Sequence, residues 1–272
     1  MTTGVRRRMG VAERRQQLIG VALELFSRRS PDEVSIDEIA AAAGISRPLV
    51  YHYFPGKQSL YEAALRRAAE DLAHRFTERH EGPLGARLLR VMRRFFDFVE
   101  EHGPGFAALM RGGPAAGSGT TSAVIDQVRR AAYEQILGHL GVTDPAPRLR
   151  LVVRSWVSLA ESTALIWLEG RDVPRAELER QLVHDFAVLV AVPAAYDEDM
   201  AAVLARIMRD EPADGPLGDL VGRLVALAPQ AVSAASGPQS ASAASGPQSV
   251  SAASGPQAVS EASAARVPQQ RA

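Results

Sequence analysis

This chain of 272 residues has no cysteine, and Lys57 is its only lysine. Without cysteine the protein cannot form disulfides, bind zinc through thiolates or use a cysteine nucleophile. The loop at 112–117 has the span of a nucleotide-hydrolysing phosphate loop, but the lysine that such a loop needs after its last glycine is absent. The six histidines are scattered, and no nucleophile-elbow motif is present. We therefore predict a protein that is not an enzyme and carries neither a cofactor nor a metal ion.

The chain also lacks an excess of charge and a long uninterrupted apolar run. Its formal net charge is zero, but residues 1–57 hold nine Arg or Lys against six Asp or Glu, a basic bias that suits nucleic acid. Arginines interrupt the N-terminus, which therefore has no apolar core of a signal peptide. The most apolar stretch, 151–168, is short for a membrane span and contains Arg154 and Glu161. We expect a cytoplasmic protein without a membrane partner.

Near its N-terminus the chain spells two short helices joined by a tight turn. Ser35 can cap the first helix, with a glutamate three residues later to complete a capping box. Gly44 stands where the chain leaves this helix with a positive φ. Pro48 lies in the first turn of the second helix, so either Ser46 or Arg47 is its cap. A short helix presented in this way fits a DNA major groove, so the pattern predicts a helix-turn-helix.

At these residues the sequence resembles the TetR family of bacterial transcriptional regulators. By motif, the resemblance covers roughly the first sixty residues, including a helix at 18–26 that precedes the helix-turn-helix. Beyond them it rests only on helical pattern and length. It departs from the family at Ser30, where glycine is common, and at Leu49, where a small or hydroxylated residue is frequent. The residues that carry it are Ser35, Ile39, Ala40, Ala43, Gly44, Ile45, Ser46, Tyr51, Tyr53, Phe54, Lys57, Leu60 and Tyr61.

The resemblance implies an all-α fold and a set of DNA-contacting residues. Arg47 is the only long basic side chain on the second helix and is expected to bind guanine, and Lys57 falls where the family places a phosphate-binding lysine. The implied partners are a double-stranded DNA operator, a second copy of the chain and a small-molecule effector. The predicted DNA-contacting residues are Ser35, Ile36, Ser46, Arg47, Pro48, Leu49, Tyr51, Tyr53 and Lys57.

Beyond Lys57 the helical pattern continues, with long helices predicted at 58–80, 84–102, 148–168 and 175–192. A cluster of large apolar residues there forms either a plain hydrophobic core or, as the resemblance implies, an effector pocket: Met92, Phe95, Phe96, Phe98, Phe106, Met110, Tyr133 and Trp156. The resemblance also implies that the last two long helices pair with a second chain. The predicted dimer interface is Val157, Ala160, Ala164, Trp167, Leu168, Leu182 and Phe186.

The C-terminal segment is built from repeats of SAASGPQ that begin at Ser233, Ser242 and Ser251. Such a sequence has too little apolar surface to offset the entropy of ordering, so we predict that it is disordered. The predicted organisation is a flexible basic arm (1–12), a helix-turn-helix domain (13–57), a helical effector-binding and dimerisation domain (58–228) and the tail (229–272).

These features indicate a dimeric one-component transcriptional regulator. The favoured hypothesis is a repressor that a small apolar or amphipathic effector releases from a palindromic operator. The alternatives are a ligand-independent or architectural DNA-binding protein, a transcriptional activator and, less favoured, a helical enzyme.

Overall fold

The computed structural model describes residues 9–110 and 119–235, and every regular element in these ranges is helical. The all-α fold predicted from the sequence is thereby confirmed. A single turn of 3-10 helix at Pro31–Glu33 accompanies the α-helices. These are α1 (Val11–Arg28), α2 (Ile36–Ala43), α3 (Arg47–Tyr53), α4 (Lys57–Phe76), α5 (Leu84–Glu101), α6 (Gly103–Met110), α7 (Gly119–Leu140), α8 (Pro147–Gly170), α9 (Arg175–Ala194), α10 (Glu198–Arg209) and α11 (Pro216–Ala235).

Two hydrophobic cores lie along the chain, and α4 takes part in both. The smaller core joins α1, α2, α3 and the first turns of α4, where Leu60 and Ala64 are buried. The larger core begins on the same helix with Ala68, Leu72 and Phe76 and continues through α5 to α11. An unbroken α4 therefore connects the helix-turn-helix directly with the larger helical domain.

The end of α4 differs from the prediction, because the helix stops at Phe76 and does not reach His80. Arg94 on α5 explains the early end. Its Nε donates to the carbonyl oxygen of Arg75 at 2.8 Å, and its Nη2 donates to that of Thr77 at 3.4 Å. Carbonyls at a helix end have no intrahelical partner, and here a guanidinium from the neighbouring helix supplies one.

The helix α8 is long and apolar enough to span a membrane by length and composition alone. One face of it, including Val153, Trp156 and Ala164, is buried in the larger core. The last helix, α11, runs to Ala235, beyond the predicted start of the tail. The rest of the predicted tail (236–272) and residues 1–8 of the predicted arm lie outside the described residues.

Candidate nucleic-acid interface and ligand cavity

The turn between α2 and α3 is fixed by local hydrogen bonds. Ser35 accepts a bond from the backbone N–H of Glu38 at 3.1 Å, and its own N–H donates to the Glu38 carboxylate at 2.8 Å, which completes the predicted capping box. These bonds, with help from Arg29, lower the pKa of Glu38 to about 2. At the other end Gly44 adopts φ +66°, and the N–H of Ile45 donates to the carbonyl of Ala40 at 3.0 Å. The chain therefore leaves α2 at one defined angle and enters α3 directly.

The helix α3 buries one side and exposes the other. Val50 and, just after the helix, Phe54 are buried in the smaller core. Ser46 is the N-cap residue, which resolves the choice that the sequence left open. Leu49 and Tyr51 are 37% and 42% exposed, so a row of side chains on α3 faces outward. This geometry suits insertion of α3 into a major groove.

Arg47 is held above the first turns of α2 and α3 by two neighbours. Its Nη1 donates to Oδ2 of Asp37 at 3.0 Å, and its Nη2 donates to the hydroxyl of Tyr51 at 3.4 Å. The Tyr51 hydrogen bond and the Asp37 charge raise the pKa of Arg47, which keeps its charge. All three side chains are exposed, so water and salt weaken the ion pair. Sequence reasoning missed Asp37, whose role depends on how closely the two helix starts approach.

The remaining predicted DNA-contacting residues have different exposures. Ser46 and Pro48 are exposed at the start of α3, and Tyr53 is half-buried against the smaller core. Lys57 is the first residue of α4 and makes no ion pair with any residue that the structure describes. The structure corrects the predicted DNA contact of Ile36, because its side chain is only 8% exposed and belongs to the smaller core. It supports the start of α2 from inside and does not offer a side-chain contact.

A cavity of about 130 Å³ lies in the larger domain and is lined by α4, α5, α6, α7 and α8, with three residues from the end of α1. Its wall is largely apolar, as expected for a site that binds small apolar molecules. Along α4 the wall extends from Tyr61 to Phe76, which corresponds to roughly 20 Å of helix. The cavity therefore reaches from the helix-turn-helix to the far end of α4.

Five of the predicted pocket residues line this cavity, namely Met92, Phe95, Phe98, Phe106 and Trp156. Two others do not. Phe96 follows Phe95 on α5 and so points about 100° away, where its ring packs edge-on against Trp167 at 5.4 Å. Tyr133 does not line the cavity, and the Cζ atom of Arg154 lies over its ring, 5.4 Å from the ring centroid. The side chain of Met110 lies outside the described residues.

The cavity wall contains two hydrogen-bonded polar pairs. Arg129 on α7 binds both carboxylate oxygens of Glu161 on α8, with distances of 2.8 to 3.1 Å. The Oγ atom of Ser27 on α1 lies 2.5 Å from Nδ1 of His102, the C-cap residue that follows α5. Because the Ser27 hydroxyl donates its proton to the carbonyl of Leu23 at 2.7 Å, the histidine is the donor of this bond. Burial lowers the pKa of His102, which favours its neutral form.

In the same region α1 and α6 approach each other closely at Gly105. A Cβ built on Gly105 would lie 2.3 Å from the carbonyl oxygen of Phe26, so a larger residue does not fit there. Gly105 and Phe106 line the cavity on α6, and Phe26 and Ser27 line it on α1. The wall of the cavity therefore includes residues of the helix-turn-helix domain.

The predicted dimer interface requires correction for five of its seven residues. Ala160, Ala164, Trp167, Leu182 and Phe186 are buried in the core of their own chain, where a second chain cannot reach them. Val157 and Leu168 are partly buried and pack against the same core. The outward faces of α8 and α9 carry other apolar residues: Leu151, Leu159, Ile166, Val188 and Val192.

Known proteins resemble this chain in both of its halves. Residues 18–64 match the family profile described as bacterial regulatory proteins, tetR family, and residues 84–189 match the tetracyclin repressor-like C-terminal domain. A crystal structure of a tetR-family transcriptional regulator from Streptomyces coelicolor is 76% identical, covers 81% of this chain and 100% of its own, and superposes with a TM-score of 0.79.

Two further relatives are more distant. The HTH-type transcriptional activator FasR of Mycolicibacterium smegmatis is 29% identical over 171 residues, which cover 58% of this chain and 74% of FasR. The regulator FadR from Bacillus subtilis, whose structure is a complex with stearoyl-CoA, is 14% identical over 63% of this chain and 96% of its own, with a TM-score of 0.52. The last likeness shows the shared fold alone.

Proposed function

This chain belongs to the tetR family of bacterial regulatory proteins and is a DNA-binding transcriptional regulator, and we propose that it is a repressor released from its operator by a small-molecule effector. Regulators of this family bind DNA operators, dimerise and bind small molecules. We further propose that the protein works in the bacterial cytoplasm. Arg47 would read a guanine in each half-site, while Tyr51, Tyr53 and Lys57 would hold phosphates.

The observation that carries the effector proposal is the shared wall of the cavity. Phe26 and Ser27 on α1 face the same space as Phe106 on α6 and His102 after α5. An effector that displaces either of the latter would move α1 through the Ser27–His102 hydrogen bond and the tight Gly105 contact. Because α1 packs on α2 and α4, this movement would change the tilt of α3.

We propose that the dimer forms through the outward faces of α8 and α9. Leu151 and Ile166, which are 67% and 71% exposed, flank the exposed serines of α8, and Val188 and Val192 lie on the exposed side of α9. Large apolar residues left exposed in this number suit an interface between protein chains. Replacing Ile166 with Glu should convert the dimer to a monomer in sedimentation velocity experiments and leave the helical circular dichroism spectrum unchanged.

The central experiment is a binding titration with the duplex that lies upstream of the gene for this protein. Fluorescence anisotropy should show salt-sensitive binding of a dimer to a palindrome, with half-sites one helical turn or a multiple of it apart. Addition of an effector should weaken binding to this duplex. An effector that binds the protein without changing its affinity for the operator would refute effector release.

Transcriptional activation is the main alternative, because the relative FasR is an activator. A strain that lacks the gene for this protein distinguishes repression from activation. Transcription of the regulated promoter should rise without a repressor and fall without an activator.

A further inference from the structure

The polar groups on the cavity wall differ in whether they have hydrogen-bond partners. The Arg129–Glu161 and Ser27–His102 pairs described above are each joined within the chain. By contrast, neither the Gln135 amide nor Nε2 of His139 has a hydrogen-bond partner among the described residues. The two residues are four positions apart on α7 and so lie on one face of the helix, at its C-terminal end.

The position of the proton on His139 follows from its neighbour. Nη1 of Arg87 lies 3.3 Å from Nδ1 of His139, and because a guanidinium only donates, Nδ1 must accept. The proton of the neutral ring is therefore on Nε2. Burial, with Arg87 and His80 nearby, lowers the pKa of His139 to about 4, so the ring is neutral at physiological pH. His139 is only 6% exposed, which makes its Nε2–H a buried donor without an acceptor.

A ligand oxygen would relieve this unfavourable arrangement. A buried donor without a partner destabilises the fold, and an acceptor supplied by a bound molecule recovers part of that loss. Both available donors, the ring N–H and the Gln135 amide, are neutral. The one arginine on the cavity wall that the structure describes, Arg129, is already bound to Glu161. Arg87 makes no ion pair with a described residue, but it contacts the Nδ1 side of His139 and lies outside the cavity wall. A carboxylate in the cavity would thus have no unpaired cation in contact with it, which disfavours an anionic ligand.

We propose that the effector is a neutral amphipathic molecule whose carbonyl or hydroxyl oxygen is bound by Gln135 and His139. Its apolar body lies among the aromatic side chains of the wall, such as Phe76 and Phe95. The cavity volume of about 130 Å³ is close to that of an engineered protein cavity, about 150 Å³, that binds benzene, so one ring with a short substituent fits. This inference rests on the proposed function in taking the cavity as the effector site.

Three small probes test the proposal by calorimetric titration of the full chain. Acetophenone offers a neutral carbonyl, α-methylstyrene has nearly the same shape with a CH2 group in place of the acceptor oxygen, and benzoate is the matched anion. We expect the wild-type protein to bind acetophenone about three- to tenfold more tightly than α-methylstyrene, as one net hydrogen bond allows. Benzoate should bind most weakly. The variants His139→Phe and Gln135→Leu should reduce the advantage of the ketone to less than about twofold.

The control variant is Gln127→Leu, which makes the same substitution on the exposed side of α7, outside the cavity wall, and should keep the full preference. Gln135→Leu leaves the contact between Arg87 and His139 intact, so the test holds even when His139→Phe fails to fold. Equal binding of ketone and hydrocarbon by the wild type would overturn the proposal. The same holds for tightest binding of benzoate, for no binding of any probe, and for a ketone preference that survives in both cavity variants.

The proposed function and this inference can fail separately. The proposed function alone fails when the wild type shows the ketone preference, the cavity variants lose it, and no cavity ligand changes the affinity for operator DNA. The inference alone fails when an effector releases operator DNA equally well from the wild type, His139→Phe and Gln135→Leu.

Discussion

Replacement of Gly105 by alanine should separate α6 from α1 without any ligand. The added Cβ would lie 2.3 Å from the carbonyl oxygen of Phe26, whereas real Cβ atoms essentially never approach a neighbour more closely than 3.0 Å. The two helices must therefore move apart by at least about 0.7 Å, because the obstacle is backbone and cannot rotate away. Overpacking of this kind costs about 1 to 3 kcal/mol, and alanine in a helix recovers up to about 1 kcal/mol. We expect a net loss of roughly 1 to 2 kcal/mol in the free energy of unfolding.

The same variant should also bind operator DNA less well in the absence of effector. Phe26 belongs to the smaller core with the helix-turn-helix, so a shift of α1 is transmitted to α3. We expect about a fivefold weaker affinity, the lower end of the range for coupled sites. Urea denaturation followed by circular dichroism measures the stability, and fluorescence anisotropy with labelled operator measures the affinity.

Gly20→Ala on α1 is the matched control, because a Cβ built there has no neighbour within 4 Å. It should raise the free energy of unfolding by about 0.5 to 1 kcal/mol and leave the affinity for DNA unchanged. A Gly105→Ala protein that is destabilised but binds operator with wild-type affinity would refute transmission through this contact. Identical behaviour of the two variants would refute the steric argument as well.

Three further perturbations have defined outcomes. Arg47→Ala should cost about 1 to 3 kcal/mol on the cognate operator and relax the preference at one base pair per half-site, and equal losses on random DNA would contradict base reading. Lys57→Ala should weaken specific and random DNA binding alike and lower the slope of log affinity against log salt by about two per dimer, whereas Lys57→Arg should restore most of the slope. The pKa of His139 is lowered to about 4 from the 6.5 of a free histidine. Between these pH values His139 is therefore protonated in the unfolded chain but neutral in the folded one. His139 alone should therefore account for a loss of about 3 kcal/mol of stability as the pH falls from 6.5 to 4, and urea denaturation should show a correspondingly smaller loss in His139→Phe than in the wild type.

The helix-turn-helix was predictable because the interactions that form it are local. The bonds between Ser35 and Glu38 join residues three positions apart, and the turn at Gly44 is closed by bonds that span five positions or fewer. Residue types at fixed spacing are sufficient for such features. The pairing of Arg47 with Asp37 across ten positions depends on the crossing of two helices, and composition alone contains no signal for it.

The faces of α8 were harder to assign because the helix is apolar nearly all round. Such a helix is covered on two sides, and the sequence does not show which side faces its own chain. Small residues on both sides allowed close packing, so Ala160 and Ala164 were as plausible at an interface as Ser158 and Ser162. In the structure the alanines are buried and the serines exposed. The face of α8 that is buried depends on where α9 packs within the same chain, and the position of α9 depends on contacts distant in sequence.

The effector cavity was only partly predictable, because large aromatic residues occur both in cavity walls and in plain cores, whereas the more informative signal lies in polar residues. On α7 the wall begins with an apolar stripe at helical spacing, which includes Val124, Val128 and Ala132. Gln135 and His139 continue the same stripe, at positions where apolar residues would fit the core equally well. A helix face that serves only packing has no reason to bury a donor without a partner, such as Nε2 of His139, since it destabilises the fold. The change from apolar to polar along one inward face is therefore a sequence signal for a ligand that supplies the missing hydrogen bond.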